Sequence, residues 1–106
     1  CLLKEILIMG RLLSEAEIED GLSDLQGWEQ DDSGKAISKR FSFKTFNQAF
    51  AFMTRCALAA EKMDHHPDWS NCYNTVNVSL STHDAGGLTD KDISLARKMN
   101  NFAGSF

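Results

Sequence analysis

The segment EKMDHHPDWSN, Glu61 to Asn71, marks the point where a long helical pattern gives way to extended chain. Proline disfavours helical backbone at the residue before it, so Pro67 requires the preceding helix to have ended by His66. The adjacent imidazoles of His65 and His66 are therefore expected at a helix C-terminus, where the helix dipole favours the protonated ring. Imidazoles held between two elements, with acidic side chains around them, are candidates for proton transfer.

The residues before this segment predict a helix from about 45 to 63, which begins at Thr45 with Gln48 three residues later. Two apolar stripes run along the predicted helix: Phe46, Phe50, Met53, Ala57 and Ala60 form one, and Ala49, Phe52, Cys56, Ala59 and Met63 form the other. A helix that lies on a sheet needs only one apolar stripe. The second stripe belongs either to a broad buried face of the monomer or to an interface with another copy, and both interpretations stay open.

The flanking patterns complete the order α-β-β-α-β-β-α. A capping box at Ser14 begins a helix over about 15–26, which is followed by Gly27. Strands are predicted around 27–30 and 36–43, with a DDSG turn between them, and then at 68–71 and about 74–82. Thr89 and Asp92 form the capping box of the last helix. Hairpins in place of βαβ crossovers predict an α+β fold, with a single four-stranded antiparallel sheet and three helices packed on one face.

Composition limits the classes of protein to which the chain can belong. Its 106 residues, 42% of them hydrophobic, suffice for one domain with its own core. The net charge is −4 and no cluster of Lys and Arg exceeds two adjacent residues, so direct binding of nucleic acid is not expected. The three cysteines are odd in number and lack CxxC spacing, which favours a reducing compartment over a disulfide framework.

The first residues, CLLKEILIMG, are apolar but carry Lys4 and Glu5. The run is too short and too charged for a membrane span, and it lacks the features of a secretory signal. We interpret residues 1–11 as an N-terminal extension and residues 12–106 as the domain. Met9 is a candidate initiator, and whether residues 1–8 are native is left open.

All three histidines are expected at the ends of elements, since His83 follows the last predicted strand. The simplest interpretation is that His65 and His66 cap helix carbonyls and that His83 is a loop residue. Zinc is disfavoured because adjacent histidine side chains diverge and the cysteines have no ligand spacing. A cysteine nucleophile is disfavoured because Cys56 lies in an apolar stripe. Trp69 is either a partly buried core residue or a flat wall for a planar heterocycle.

Two motifs together resemble those of the pterin-4a-carbinolamine dehydratases, a family also known as the dimerisation cofactor of a homeodomain transcription factor. EKMDHHPDW, residues 61–69, combines His-His-Pro-x-Trp with the surrounding acids, and LSTHDAGGLTDKD, residues 80–92, matches the second motif. FSFKTFNQAFAFMTRCALAAEKM, residues 41–63, resembles the central helix of the family with its preceding strand. The resemblance covers about residues 12–103, and Ala85, where some relatives carry Cys, is a minor departure.

The resemblance implies a lyase that dehydrates 4a-hydroxytetrahydrobiopterin, the pterin-4a-carbinolamine, to quinonoid dihydrobiopterin in tetrahydrobiopterin recycling. The reaction needs a proton on the departing 4a-hydroxyl group and loss of the N5 proton, so no metal or other cofactor is implied. The implied catalytic residues are His65 and His83 as proton donors beside the 4a-hydroxyl group. His66 would bind and orient the pterin, and can act as the base.

The two motifs also imply the residues around the substrate, which are Asp64, Pro67, Trp69, Ser81, Thr82 and Asp84. Glu61 or Asp92 would hold an imidazole in place. The family further implies a homodimer or homotetramer formed through the 46–63 helix, and binding to the dimerisation helices of a homeodomain transcription factor. These roles would place the protein in the cytoplasm, and the coactivator role would place it in the nucleus as well, with any link to DNA made through that partner.

Overall fold

The computed structural model describes residues 12–106, so the extension at residues 1–11 and Met9 lie outside the described residues. The helices are α1 Glu15–Ser23, α2 Phe46–Met63 and α3 Asp90–Ala103. The strands are β1 Glu29–Gln30, β2 Ile37–Ser42, β3 Asp68–Cys72 and β4 Thr75–Leu80, and a short 3-10 turn spans His83–Ala85. The order α-β-β-α-β-β-α predicted from the sequence is confirmed. No helix in this part of the chain is long and apolar enough to cross a membrane.

The four strands form one antiparallel sheet in the order β1-β2-β4-β3. Ile37 stands opposite Leu80 and Phe41 stands opposite Val76, and all four side chains are buried. Residues of the opposite parity, such as Ser38, Arg40 and Asn77, turn to the polar, open face of the sheet, as the period of two requires. Core side chains of all three helices, including Phe52 of α2, pack on the apolar face. The predicted α+β architecture is confirmed.

Local capping signals predicted where helices begin better than where they end. The capping boxes at Ser14 and Thr89 are both present. Helix α1, however, ends at Ser23 and not near residue 26. The chain turns there because Leu25 and Trp28 both enter the core, with exposed fractions of 2% and 5%. Burial of these two side chains therefore outweighs continuation of the helix.

Helix α2 buries only one of its two apolar stripes. Ala49 and Phe52 are completely buried, whereas Phe46 and Phe50 are 48% and 58% exposed. Ala60, which the sequence pattern assigned to the stripe of Phe46, is buried and belongs to the inner face. The interpretation that both stripes belong to one broad buried face is therefore wrong for the described residues. Helix α2 carries an apolar surface that the monomer does not cover.

Helix α2 ends at Met63 as predicted, but the residue that ends it is Asp64 and not Pro67. Asp64 adopts left-handed backbone with φ 53°. The N–H of His65 then donates to the carbonyl of Ala60 over 3.0 Å, which is the long hydrogen bond of a Schellman motif. Aspartate tolerates this conformation better than most residues. The helix is thus complete before the two histidines begin.

Candidate active site

The turn at the end of α2 places the two adjacent histidines in different environments. His65 is buried, with an exposed fraction of 6%. The side chain of His66 is 60% exposed. Asp64 ends the helix before the two histidines, and consecutive side chains of extended chain, which Pro67 favours at His66, point to opposite sides. The two histidines can therefore perform different tasks.

A buried carboxylate holds His65. The Nε2 atom of His65 donates to Oδ1 of Asp92 over 2.6 Å. The other carboxylate oxygen accepts from the hydroxyl group of Thr82 over 2.8 Å and from the backbone N–H of Thr89 over 3.0 Å. Asp92 is completely buried, and these three donors compensate the loss of water around its oxygens. The capping residue of α3 is thereby also the partner of an imidazole.

The second ring nitrogen of His65, Nδ1, is left available. No hydrogen bond within residues 12–106 involves this atom. The same part of the chain contains no buried side-chain nitrogen or oxygen without a partner, so Nδ1 reaches solvent. Because Nε2 carries the proton donated to Asp92, Nδ1 has the free lone pair in the neutral ring. The arrangement fixes the tautomer and leaves one nitrogen for proton transfer.

His66 has a carboxylate partner of its own at the surface. Its Nε2 atom lies 2.9 Å from Oε1 of Glu61, one turn earlier on α2, and both side chains are exposed. Exposed pairs of this kind contribute about 1 kcal/mol or less to the stability of the fold. The contact nevertheless sets the direction of the His66 ring.

His66 stands between two cavities. The first, of about 240 Å³, is lined by His66, His83, Ser81, Ser33, Lys35, Ala36, Asp68 and Ser79. The second, of about 340 Å³, is lined by His66, Glu61, Pro67, Trp69, Ala57 and Ala60. The first cavity joins two histidines that are distant in sequence, and the second supplies an aromatic wall. His66 is thus shared by a cavity lined mainly by polar side chains and a cavity that includes the ring of Trp69.

Three residues that the resemblance placed around the substrate do not line either cavity. Thr82 is buried, where it donates to Asp92 and lies 2.7 Å from the hydroxyl oxygen of Thr89. Asp64 and Asp84 are exposed, the first at the end of α2 and the second in the 3-10 turn. A direct contact between these three residues and a substrate stays a prediction. The structural role of Thr82 is to hold Asp92.

Four polar residues of the first cavity were not predicted from the sequence: Ser33, Lys35, Asp68 and Ser79. Asp68 and Ser79 stand directly opposite each other on β3 and β4, on the open face of the sheet. The alternation of the strands could have assigned both residues to this face. The position of Ser33 and Lys35 depends on the pairing of β1 and β2 and carries no local signal.

The cysteine alternative does not fit this site. Cys56 is completely buried, and burial raises the pKa of its thiol to about 12. Its thiolate is therefore scarce at neutral pH. No group of three or more His, Cys, Asp and Glu side chains within residues 12–106 is arranged to hold a metal ion. The imidazoles are the groups of this site suited to proton transfer near neutral pH.

The fold is a small α+β domain in which His66 and His83 line one cavity, and comparison with known proteins gives its family. The profile described as "Pterin 4 alpha carbinolamine dehydratase" matches residues 11–102. The chain belongs to this family. Proteins named pterin-4-alpha-carbinolamine dehydratase from Afipia carboxidovorans and Chelativorans sp. are 57% identical over 98 residues and 59% identical over 91 residues. The matches cover 92% and 86% of this chain, and 98% and 93% of the two relatives.

Solved structures agree with this assignment. The crystal structure of a transcriptional coactivator/pterin dehydratase from Brucella melitensis superposes with a TM-score of 0.85 at 51% identity. The match covers 87% of this chain and 98% of that one. A pterin dehydratase-like protein identified as a RuBisCO assembly factor in the alpha-carboxysome has a TM-score of 0.64 at 24% identity, covering 74% and 92%. This second similarity concerns the fold alone.

Proposed function

We propose that this chain is a lyase that dehydrates 4a-hydroxytetrahydrobiopterin to quinonoid dihydrobiopterin by histidine acid–base catalysis, in tetrahydrobiopterin recycling. The observation that carries the proposal is the meeting of His66 and His83 at one cavity, with Nδ1 of His65 left available by Asp92. Membership of the dehydratase family supports the same reaction. The test is an assay of carbinolamine dehydration with the purified chain, in which a rate equal to the uncatalysed rate would refute the proposal.

The chemistry requires two proton transfers at neighbouring atoms of the pterin. The bond between C4a and the hydroxyl oxygen breaks, and a donor supplies the proton that turns the leaving group into water. A base removes the proton from N5, and the electron pair of that N–H bond forms the C4a–N5 double bond. Imidazoles suit both steps because they give and accept protons near neutral pH.

The structure supports a division of tasks among the histidines. His83 borders the first cavity, and we assign it the proton donation to the 4a-hydroxyl group. His66 borders both cavities and is directed by Glu61, which suits it to orient the pterin and to take the N5 proton. His65 can take part only through Nδ1, since its Nε2 atom is bound to Asp92. Its role as a second donor rests on the resemblance.

Dehydration by these transfers needs no metal or other cofactor, and we expect activity to survive chelation. The purified protein would be dialysed against EDTA, and the dehydration rate compared with that of an untreated sample. We expect equal rates within error, because imidazoles alone move the protons. Loss of activity that one particular metal restores would contradict the mechanism and indicate Lewis-acid catalysis.

We further propose that the exposed stripe of α2 packs against a second copy of the chain. The rings of Phe46 and Phe50 lie side by side with centroids 5.9 Å apart, and Leu58 is 70% exposed. The two neighbouring rings of Phe46 and Phe50 make an exposed apolar surface, and such surfaces mark interaction sites. Two such helices would form a dimer, and two dimers joined in this way would form a four-helix bundle within a tetramer.

The two phenylalanines on opposite sides of α2 provide a matched test of assembly. Phe50→Asp should convert the assembly to monomers without unfolding them, because Phe50 is 58% exposed. Phe52→Asp should unfold the chain, because Phe52 is completely buried and packs on Phe41 with ring centroids 4.6 Å apart. Light scattering and circular dichroism measure the two outcomes. A wild-type chain that is monomeric at tens of micromolar would contradict self-association.

The same helix face favours a second candidate function, that of a dimerisation cofactor for a homeodomain transcription factor. The similar Brucella melitensis protein is described as a transcriptional coactivator/pterin dehydratase. An apolar helix face can bind the amphipathic helices of a partner. Titration with a peptide of such dimerisation helices tests this role: binding that Phe50→Asp abolishes would support it, and the absence of binding would refute it.

A further inference from the structure

The first cavity is bounded on one side by a turn between β1 and β2 that the proposed mechanism does not use. Its backbone is fixed by hydrogen bonds from the N–H of Asp31 to the carbonyl of Ala36 and from the N–H of Gly34 to the carbonyl of Asp31. The hydroxyl group of Ser33 donates to the Asp31 carboxylate over 2.6 Å and accepts from the N–H of Lys35 over 3.1 Å. The Ser33 hydrogen bond lowers the pKa of Asp31, which keeps the carboxylate ionised as an acceptor. The turn therefore holds the backbone of Lys35 at the edge of the cavity.

Two charged residues line this cavity besides the histidines: Lys35 contributes an ammonium group and Asp68 a carboxylate. Asp68 is the first residue of β3 and stands opposite Ser79 of β4, which also lines the cavity. Neither Lys35 nor Asp68 makes a side-chain hydrogen bond or an ion pair within residues 12–106, and they do not pair with each other. The fold uses neither charge for its own stability, so both are available to a ligand.

A pterin presents a matching pattern along its pyrimidinone edge. The 2-amino group and N3–H are neighbouring donors, and the C4 carbonyl next to them is an acceptor. A carboxylate can accept from both donors in a two-pronged contact, and an ammonium group can donate to the carbonyl, which gives charge-assisted hydrogen bonds. The C4 carbonyl adjoins C4a, the carbon that loses its hydroxyl group. A cation at this carbonyl is therefore compatible with histidines at C4a and N5.

We propose that Asp68 and Lys35 bind the pyrimidinone edge of the pterin. Asp68 accepts from N3–H and the 2-amino group, and Lys35 donates to the C4 carbonyl. The inference rests on the proposed function and deepens it, because it names the contacts that select a pterin over other flat heterocycles. These residues position the substrate and take no part in the proton transfers.

A comparison of pterin with lumazine, which carries a carbonyl in place of the 2-amino group, tests each contact separately. Dissociation constants would be measured by calorimetry. Asp68→Asn should weaken pterin binding about 10- to 100-fold, as expected for loss of a charge-assisted contact, and should reduce the preference over lumazine by a similar factor. Lys35→Gln should weaken both ligands about equally, because both retain the C4 carbonyl. Asp20→Asn and Lys44→Gln, exposed charges that do not line the cavity, are the matched controls.

The outcomes separate this inference from the proposed function. Dehydration by the wild type, combined with Asp68→Asn and Lys35→Gln variants that bind and discriminate like the controls, would overturn the inference and leave the proposed function in place. A wild type that neither binds pterin nor dehydrates the carbinolamine would overturn both. Loss of selectivity in Asp68→Asn alone, with unchanged affinities in Lys35→Gln, would overturn the contact assigned to Lys35.

Discussion

Replacement of His66 or His83 by alanine is expected to lower kcat for carbinolamine dehydration by about 100- to 1000-fold, the usual contribution of a proton-transfer group. Each substitution removes an imidazole from the cavity that both residues line. His66→Ala should also raise KM, because His66 borders both cavities and is assigned the orientation of the pterin. His83→Ala should act mainly on kcat, since donation to the leaving group is needed chiefly in the transition state.

The fold should tolerate both changes, because both side chains are exposed. We expect the free energy of unfolding to change by about 0.5 kcal/mol or less, which urea denaturation measures. Glu61→Gln is the matched control, since it weakens the contact that orients the His66 ring but leaves the ring in place. It should reduce kcat less than His66→Ala does. Wild-type kcat and KM in His66→Ala and His83→Ala would refute the site.

Replacement of Asp92 should have the largest effect on stability. Asp92→Ala removes an acceptor from His65, Thr82 and the N–H of Thr89 at once, all in the protein interior. Breaking a buried pair of this kind costs about 3–5 kcal/mol, because the remaining partner is left without compensation. Urea denaturation should show a correspondingly lower midpoint. A midpoint within error of the wild type would contradict the role given to this network.

Asp92→Asn separates the positioning role from the structural role. An amide of the same shape keeps the packing, but it cannot accept at both of its ends. If its nitrogen faces His65, Nε2 becomes the acceptor and the neutral ring carries its proton on Nδ1, so Nδ1 can no longer take up the proton that a donor must later give. We therefore expect a larger loss of activity than of stability, and an altered pH profile of kcat. Asp90→Asn, in the same helical turn but exposed, is the control. Full activity in Asp92→Asn would leave Asp92 a purely structural residue.

The elements that could be predicted are those with strong local signals. Capping boxes at Ser14 and Thr89 fixed two helix starts, and alternation fixed the buried face of β2 and β4. The end of α1 and the burial of Ala60 escaped prediction because distant packing decides them. Phe50 and Phe52 look alike in the sequence. Only the position of α2 on the sheet determines that the first is exposed and the second buried.

In the candidate site, too, local signals could be predicted from the sequence and contacts between distant elements could not. The motifs indicated the histidines, and the capping role of Asp92 was visible locally. The burial of His65 was not, because it depends on α3 packing beside the end of α2, where Asp92 meets the ring. Lys35 and Asp68 reach one cavity only through the strand order β1-β2-β4-β3, which brings a turn of the first hairpin near the start of β3. Residues joined by strand order alone leave no periodic pattern in a single sequence.

The most direct test is the rate of 4a-hydroxytetrahydrobiopterin dehydration with the wild type and with the double variant His66→Ala/His83→Ala, each compared with the uncatalysed rate. Both proteins should be folded by circular dichroism, since both substitutions lie at exposed positions. We expect the wild type to accelerate the reaction and the double variant to approach the uncatalysed rate. A folded double variant that retains the wild-type rate would show that the chemistry takes place elsewhere.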